Sequence, residues 1–291
     1  MPKRITLQYS GMPAYRQPFL DELVRRQTAQ DLQYTFLIGD AQLDPTVTTE
    51  VTGSEIKYVR NRYLFGRRAL WQIGVVRACT ASDLAILELN PRIASTWTTL
   101  VLRRLARKPS LMWGHAWPRA GRQARSDALR SLMRRLGRNV VTYTHTQADE
   151  LRSAEPGLNV YVAPNAIAPS ANMLPITSTG PDVVYSGRLV PQKKPNLLLE
   201  GYARALHIEP SLGRLKFIGD GPMLDELKAK AEVLGLRERV SFAGRVTDQM
   251  NLRQHYGLFR IEGVVGGSSP REWCIGPVIS GSVILRCRVR R

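Results

Sequence analysis

The sequence predicts an α/β fold made of two Rossmann-like domains. Short apolar runs alternate with amphipathic segments of helical period along most of the chain, as they do in a doubly wound parallel sheet. Several of these runs end in glycine, which is typical of a buried parallel strand that opens into a ligand-facing loop. A length of 291 residues and a hydrophobic content of 43% suit two domains with separate cores.

Residues 1–163 are predicted to form the first domain. Its strands are expected in six apolar runs separated by helical segments: ITLQY, LQYTFLIG, IKYV, DLAILEL, PSLMWG and NVVTYT. Residues 164–181 then contain four prolines with Ser and Thr between them. Because proline disrupts helix interiors, this stretch is interpreted as an interdomain linker.

The second domain is predicted for residues 182–256 as a βαβαβ unit, with helices over 195–208 and 222–234. Arg188 and Lys193 follow its first strand in one short loop. Two cations at the carboxyl end of a parallel strand can hold a diphosphate, although ordinary solvated loop cations remain the alternative in a chain with 42 Lys and Arg.

The segments GRLVPQKKP, FIGDGPMLDEL and VSFAGRV resemble the nucleotide-binding half of family 4 (group 1) retaining glycosyltransferases. That resemblance implies the GT-B fold, in which two Rossmann-like domains face a cleft. It also implies that Arg188 and Lys193 bind the donor diphosphate, and that Gly187, Gly219 and Gly221 lie in cleft loops whose backbone approaches the ligand closely.

The same resemblance implies a reaction. A sugar would pass from a nucleotide sugar, such as a UDP- or GDP-sugar, to a glycan or lipid-linked acceptor in polysaccharide biosynthesis. Family members retain the anomeric configuration without a cofactor, and the donor diphosphate itself serves as the base. The sequence has no D-x-D metal signature, so no metal is expected.

Two positions in the first domain are candidates for the same cleft. Gly11 lies in the loop at residues 9–13 that follows the first strand, although a simple turn is the alternative interpretation. His115 follows the run PSLMW, where many relatives carry a cleft histidine that contacts the sugar or positions the acceptor. A packed core histidine between Trp113 and Trp117 is the alternative. Asn165 resembles the Asn of the family's P-N-G signature, and a structural role is expected for it.

Positive charge is concentrated in residues 103–138, which contain eleven Lys or Arg and one acid, Asp127. Within this segment an apolar stripe is predicted, flanked by basic residues: Ala128, Leu129, Leu132, Met133 and Leu136, with Arg125, Arg130, Arg134, Arg135 and Arg138. Two interpretations stay open, a helix bound to an anionic membrane surface and a sheet-covering helix with a solvated basic face. Nucleic-acid binding is not expected, because the stripe lacks interleaved aromatic residues and no recognised binding motif accompanies it.

Localisation follows from what the sequence lacks. No run approaches the length of a membrane-spanning helix, and the N-terminus does not resemble a signal peptide. A cytoplasmic protein, peripheral at the inner face of the cell membrane, is therefore expected. Cys79, Cys274 and Cys287 show no paired spacing, so neither a disulfide framework nor a zinc site is expected.

Residues 257–291 depart from the family pattern. They contain neither Asp nor Lys, and the family's acidic E-G-F-G-L motif is missing, so no role passes to Glu262. A frameshift or truncation that leaves the second domain incomplete is one explanation, and divergence is the other. The alternative function is accordingly an inactive remnant that binds nucleotide or an anionic membrane.

Overall fold

The computed structural model describes residues 1–118, 120–165 and 183–246. The predicted linker, apart from Pro164 and Asn165, lies outside the described residues, and so do residues 257–291 with Glu262. The chain divides into two compact units, Met1–Pro169 and Ser170–Arg291.

The first unit is built on parallel strands. Its strands are β1 (Lys3–Tyr9), β2 (Leu32–Gly39), β3 (Ile56–Val59), β4 (Asn61–Leu64), β5 (Ala69–Gln72), β6 (Leu84–Glu88), β7 (Ser110–Trp113), β8 (Arg138–Thr142) and β9 (Asn159–Val162). Seven of them form one parallel sheet in the order β3-β2-β1-β6-β7-β8-β9, whereas β4 and β5 pair as an antiparallel hairpin. The strand order reverses between β1 and β6, and such a switch point is where α/β sheets bind ligands.

Both faces of this sheet are buried. Along β6, Ala85 and Leu87 belong to one core cluster, and Leu84 and Ile86 contact the other. The covering helices are α1 (Gln17–Gln27), α2 (Val75–Ala81), α3 (Ala94–Leu105), α4 (Asp127–Gly137) and α5 (His145–Ala154). Burial on both faces explains why these strands appear in the sequence as continuous apolar runs.

The described part of the second unit, residues 183–246, also has a parallel sheet with helical connections. Strands β10 (Val183–Ser186), β11 (Leu215–Ile218) and β12 (Val240–Phe242) form a parallel sheet in that order, with helices α6 (Pro195–Ile208) and α7 (Leu224–Val233) as connections. Phe217 stacks on Phe242 with ring centroids 5.2 Å apart, and Tyr202 is 1% exposed in the same core. The predicted βαβαβ unit is confirmed, but α7 begins at Leu224 because Pro222 lies in the preceding turn.

The six strands predicted for the first domain are all present, whereas the β4–β5 hairpin and β9 were not predicted. Cys79 is a buried free thiol, and burial raises its pKa to about 12. Among the described residues, no helix is long and apolar enough to cross a membrane.

Candidate active site

The loop after β10 carries both predicted diphosphate ligands. Arg188 follows Gly187 directly, and Lys193 ends a short 3-10 turn, Pro191–Lys193, that leads into α6. Both side chains are partly buried, while Leu189 between them is fully buried and anchors the loop to the core. The structure therefore places the two cations in one anchored loop at the carboxyl end of β10.

Tyr185 fixes this loop from beneath. Its hydroxyl donates to the Arg188 carbonyl at 3.0 Å, and burial raises its pKa to about 12, so the phenol stays protonated at neutral pH. The backbone N–H of Val190 also donates to the Arg188 carbonyl at 3.0 Å. These two bonds hold the backbone of Arg188, from which its side chain extends.

At Gly219 and Gly221 the structure shows a close approach by the backbone of the neighbouring loop, whereas the predicted approach to a ligand stays a prediction. A Cβ atom on Gly219 would lie 1.9 Å from the Gly187 carbonyl oxygen, and one on Gly221 would lie 2.5 Å from the Leu189 carbonyl oxygen. Backbone bonds join the same segments, including Gly187 N–H to the Ile218 carbonyl at 2.9 Å. The two glycines therefore let the β11 loop pack against the loop that carries Arg188.

The first turn of α6 adds a second positive element beside these cations. The chain enters the helix through Lys194, which has a φ of 50°, and Pro195 begins the helix. Unpaired N–H groups and the helix dipole make the N-terminus of a helix attractive to phosphate. The loop and the helix start together suit an anionic ligand.

In the first unit, the loop after β1 is held rigidly at the carboxyl edge of the sheet. The Glu88 carboxylate, at the end of β6, accepts from the Ser10 N–H at 2.8 Å and from the Ser10 hydroxyl at 2.7 Å. On the opposite side, Asn61 donates to the Ser10 carbonyl at 2.7 Å, and Gln72 donates to the Tyr9 carbonyl at 3.1 Å. Side chains from three different elements therefore bond to Tyr9 and Ser10 and stabilise the loop.

Gly11 has a packing reason to be glycine. A Cβ atom there would lie 2.7 Å from the backbone of Ala41 and Gln42. The loop at residues 9–13 therefore packs tightly against the loop that follows β2, and the buried backbone of Gly11 is part of that contact.

His115 is exposed at the carboxyl end of β7, so the alternative of a packed core histidine does not describe it. Its ring contacts Tyr143 edge-on at 4.9 Å, and its Nδ1 lies 3.4 Å from Nε2 of Gln147. Because Gln147 Oε1 accepts from the Ala116 N–H at 3.1 Å, the amide is oriented with its NH₂ group toward the histidine. Nδ1 of His115 then acts as acceptor, and Nε2 carries the proton.

Asn165 ends the described part of the first unit. Its Oδ1 atom is buried and accepts no hydrogen bond from the described residues. Ala166, which replaces the glycine of the family signature, lies outside them.

Comparison with known proteins assigns this architecture. Residues 170–260 match the family described as glycosyl transferases group 1. Anabaena HepE, solved in complex with UDP, shares 17% identity with a TM-score of 0.54 over 86% of this chain and 71% of its own. The pneumococcal O-GlcNAc transferase GtfA, solved with UDP and GlcNAc, shares 8% identity with a TM-score of 0.57 over 84% of this chain and 76% of its own. The fold is GT-B.

One curated relative is similar over a shorter stretch. An exopolysaccharide phosphotransferase of Streptomyces coelicolor is 36% identical over 81 residues, which cover 28% of this chain and 8% of that protein. The chain thus matches only a small part of the relative's length. The match to group 1 glycosyl transferases contains the Arg188–Lys193 loop and both glycines of the β11 loop.

The basic segment at residues 103–138, which includes the end of α3 and all of α4, is less exposed to solvent than the sequence predicts. Arg103 and Arg134 are fully buried rather than solvated, and Met133 faces the core. Arg103 donates to the Ser82 and Asp83 carbonyls at 2.9 and 3.0 Å, near the C-terminus of α2. Arg130 is partly buried and donates to the Leu89 and His115 carbonyls at 2.8 and 3.0 Å. Lys108 likewise donates from Nζ to the Thr80 carbonyl at 2.9 Å, so at least four of the basic residues described in this segment bond to internal carbonyls or carboxylates.

Two residues near the site were missed from sequence. Glu88 follows the apolar run of β6, so the strand-end rule that identified His115 would also have found it. Arg16 lies five residues beyond Gly11, in a turn that gives no sequence signal for a buried cation.

Proposed function

We propose that the protein transfers a sugar from a nucleotide-sugar donor to a glycan or lipid-linked acceptor. The observation that carries this proposal is the anchored loop with Arg188 and Lys193, which lies inside the segment matching group 1 glycosyl transferases. The HepE and GtfA structures, both solved with UDP, favour a nucleoside diphosphate as the leaving group.

In the proposed reaction, the bond between the anomeric carbon and the diphosphate oxygen breaks as the acceptor hydroxyl forms the new glycosidic bond. The proton of that hydroxyl passes to the departing diphosphate, so configuration is retained without a metal. Arg188, Lys193 and the N-terminus of α6 stabilise the negative charge that grows on the diphosphate. The protonated Nε2 of His115 donates to a hydroxyl of the sugar or the acceptor.

The donor site can be tested by calorimetry with UDP. Arg188→Ala and Lys193→Ala are each expected to weaken UDP binding by about 1.5 to 3 kcal/mol, because each removes a charge-assisted contact to the diphosphate. Lys228→Ala, which removes an exposed cation from α7 of the same unit, is the matched control and should bind like the parent. Unchanged affinity in both loop variants would remove the diphosphate assignment.

An inactive remnant that binds nucleotide is the second candidate, favoured by the missing acidic family motif. The two functions differ in turnover. An active enzyme releases UDP or GDP from a nucleotide sugar when a panel of glycan acceptors is supplied, and Arg188→Ala slows that release. Tight UDP binding without release from any donor would establish the remnant.

We also propose that the protein is cytoplasmic and binds the inner face of the membrane through α4. Leu129 and Leu132 are 57% and 50% exposed on this helix, with Arg125 exposed in the turn before it and Arg135 exposed in its last turn. Helix α3 packs beside α4 and contributes Leu105, which is 76% exposed. Exposed leucines among arginines suit the boundary between anionic headgroups and acyl chains.

Vesicle sedimentation tests this surface. Arg122→Glu with Arg125→Glu is expected to lower binding to vesicles containing phosphatidylglycerol by about tenfold or more, since each basic side chain near the surface contributes about 1 kcal/mol. Leu129→Gln with Leu132→Gln should lower it as well. The control, Lys228→Glu with Arg237→Glu, makes the same charge change in the second unit. Equal binding to pure phosphatidylcholine vesicles, or by all three variants, would contradict the proposal.

A further inference from the structure

Arg16 is a buried cation at the carboxyl edge of the first unit's sheet. It lies between the loop at residues 9–13 and the start of α1, with only 6% of its surface exposed. Its guanidinium carbon lies 5.4 to 6.0 Å from the centroids of four aromatic rings, those of Tyr9, Tyr15, Trp113 and Tyr143. Aromatic faces offset part of the cost of burying a cation.

In the described part of the chain, no carboxylate forms an ion pair with this guanidinium. Its guanidinium bonds only to neutral phenols in that part of the chain, from Nη2 to the Tyr143 hydroxyl at 3.3 Å and to the Tyr15 hydroxyl. Two other buried arginines of the same unit have strong partners: Arg134 pairs with two carboxylates, and Arg103 donates to several carbonyls. A desolvated charge without a counter-charge is costly, so its retention points to a ligand that supplies the negative charge.

The groups around Arg16 are donors. The indole N–H of Trp113 is buried and has no hydrogen-bond acceptor among the described residues. Burial raises the pKa of both Tyr9 and Tyr143, so their phenols stay protonated and can donate. Tyr143 connects this cluster to the exposed His115, whose ring it contacts at 4.9 Å.

We propose that Arg16, Trp113 and Tyr143 bind a phosphate group carried by the acceptor, next to the hydroxyl that receives the sugar. This inference rests on the proposed glycosyl transfer. The planar guanidinium matches phosphate oxygens in two places at once, and the indole and phenol add single donors. The donor diphosphate already has its own cations in the second unit, Arg188 and Lys193. A phosphorylated sugar or a lipid-linked diphosphate has the required chemistry.

Calorimetry with inorganic pyrophosphate on the full chain separates this site from the donor site. In the background of Arg188→Ala with Lys193→Ala, residual pyrophosphate binding should persist. Adding Arg16→Lys, which keeps the charge but loses the planar fork, should lower the residual affinity about tenfold or more, the equivalent of a charge-assisted contact. Arg62→Lys, an exposed arginine on β4, is the matched control.

Two milder variants cover the case in which Arg16→Lys does not fold. Trp113→Phe removes the indole N–H and Tyr143→Phe the hydroxyl, and each should weaken pyrophosphate binding severalfold while circular dichroism stays unchanged. The proposal would be overturned if no residual pyrophosphate binding is measured, or if none of these variants alters that binding. UDP binding to the otherwise unaltered chain must be unaffected by Arg16→Lys, because a parallel loss would assign Arg16 to the donor instead.

The acceptor's chemical class then follows from two further probes. Geranyl diphosphate represents a lipid-linked acceptor, and glucose 1-phosphate represents a soluble one. If Arg16→Lys loses affinity for either probe, the result supports a phosphate site, and the probe affected indicates the class of acceptor. If it loses affinity for neither probe, the result contradicts the proposal. Failure of UDP to bind at all would count against the proposed function but leave the pyrophosphate result interpretable.

Discussion

Replacing Gly219 by alanine is expected to destabilise the second unit by about 3 to 5 kcal/mol and to weaken UDP binding at least about tenfold. The new Cβ atom would lie 1.9 Å from the Gly187 carbonyl oxygen, and a backbone atom cannot rotate away as a side chain can. The φ of 141° at Gly219 adds strain for any other residue. Since Gly187 precedes Arg188, the displacement that relieves the clash moves the diphosphate loop.

Urea unfolding and UDP calorimetry measure the two effects. Gly201→Ala is a matched control in the same unit, because Gly201 lies within α6 and a Cβ atom there has no neighbour within 4 Å. That control should be neutral or stabilising by up to about 1 kcal/mol, the usual gain from replacing glycine in a helix. If Gly219→Ala has the same unfolding free energy and the same UDP affinity as Gly201→Ala, the close approach of the two loops affects neither stability nor UDP binding.

The fold of residues 183–246, the described part of the second unit, could be predicted almost completely from sequence. Each of its strands is a short apolar run ending at a loop, and each helix has a proline near its start. Local signals and tertiary structure agree there, since β10, β11 and β12 pair in sequence order. Helix α7 ends one residue earlier than predicted and starts two residues later, because the backbone at Gly221 first closes a turn to Leu224.

The β4–β5 hairpin could not be predicted, because its sequence has neither a recognisable short-range turn motif nor a continuous apolar run. Its strands have four residues each, and its turn contains three successive left-handed residues, Phe65, Gly66 and Arg67, of which only one is glycine. What stabilises it is non-local. Gln72 bonds to the backbone of Tyr9, 63 residues earlier in the chain, and Asn61 bonds to that of Ser10, 51 residues earlier.

The candidate site was predictable only where a strand end marks it. His115, Arg188 and Lys193 all follow carboxyl ends of parallel strands, and the structure places them there. Arg16 and the buried arginines of α3 and α4 obey no such rule, because charge periodicity does not tell which cations find internal partners. Arg134 shows this most clearly, since one of its carboxylates, Glu155, lies beyond the helix and the next strand.

Arg134→Met is expected to destabilise the first unit by about 3 to 5 kcal/mol, because it leaves two poorly hydrated carboxylates without their cation. The Arg134 side chain is 0% exposed, and its partners Asp127 and Glu155 are 15% and 9% exposed. Its Nη1 atom also donates to the Ala116 carbonyl at 2.6 Å, next to His115. The loss should therefore disturb the His115 loop as well as stability.

The adjacent residue provides the control, since Arg135→Met makes the same substitution at a side chain that is 71% exposed and 3.7 Å from Glu155. It should cost less than about 1 kcal/mol, as exposed ion pairs do. Trp117, whose ring lies 4.9 Å from the Arg134 guanidinium, reports unfolding nearby by fluorescence. Adding Asp127→Asn and Glu155→Gln to Arg134→Met should recover part of the loss, because neutral amides are cheaper to bury than unpaired charges. A triple variant no more stable than Arg134→Met would mean that lost packing against Trp117, rather than uncompensated charge, causes the destabilisation.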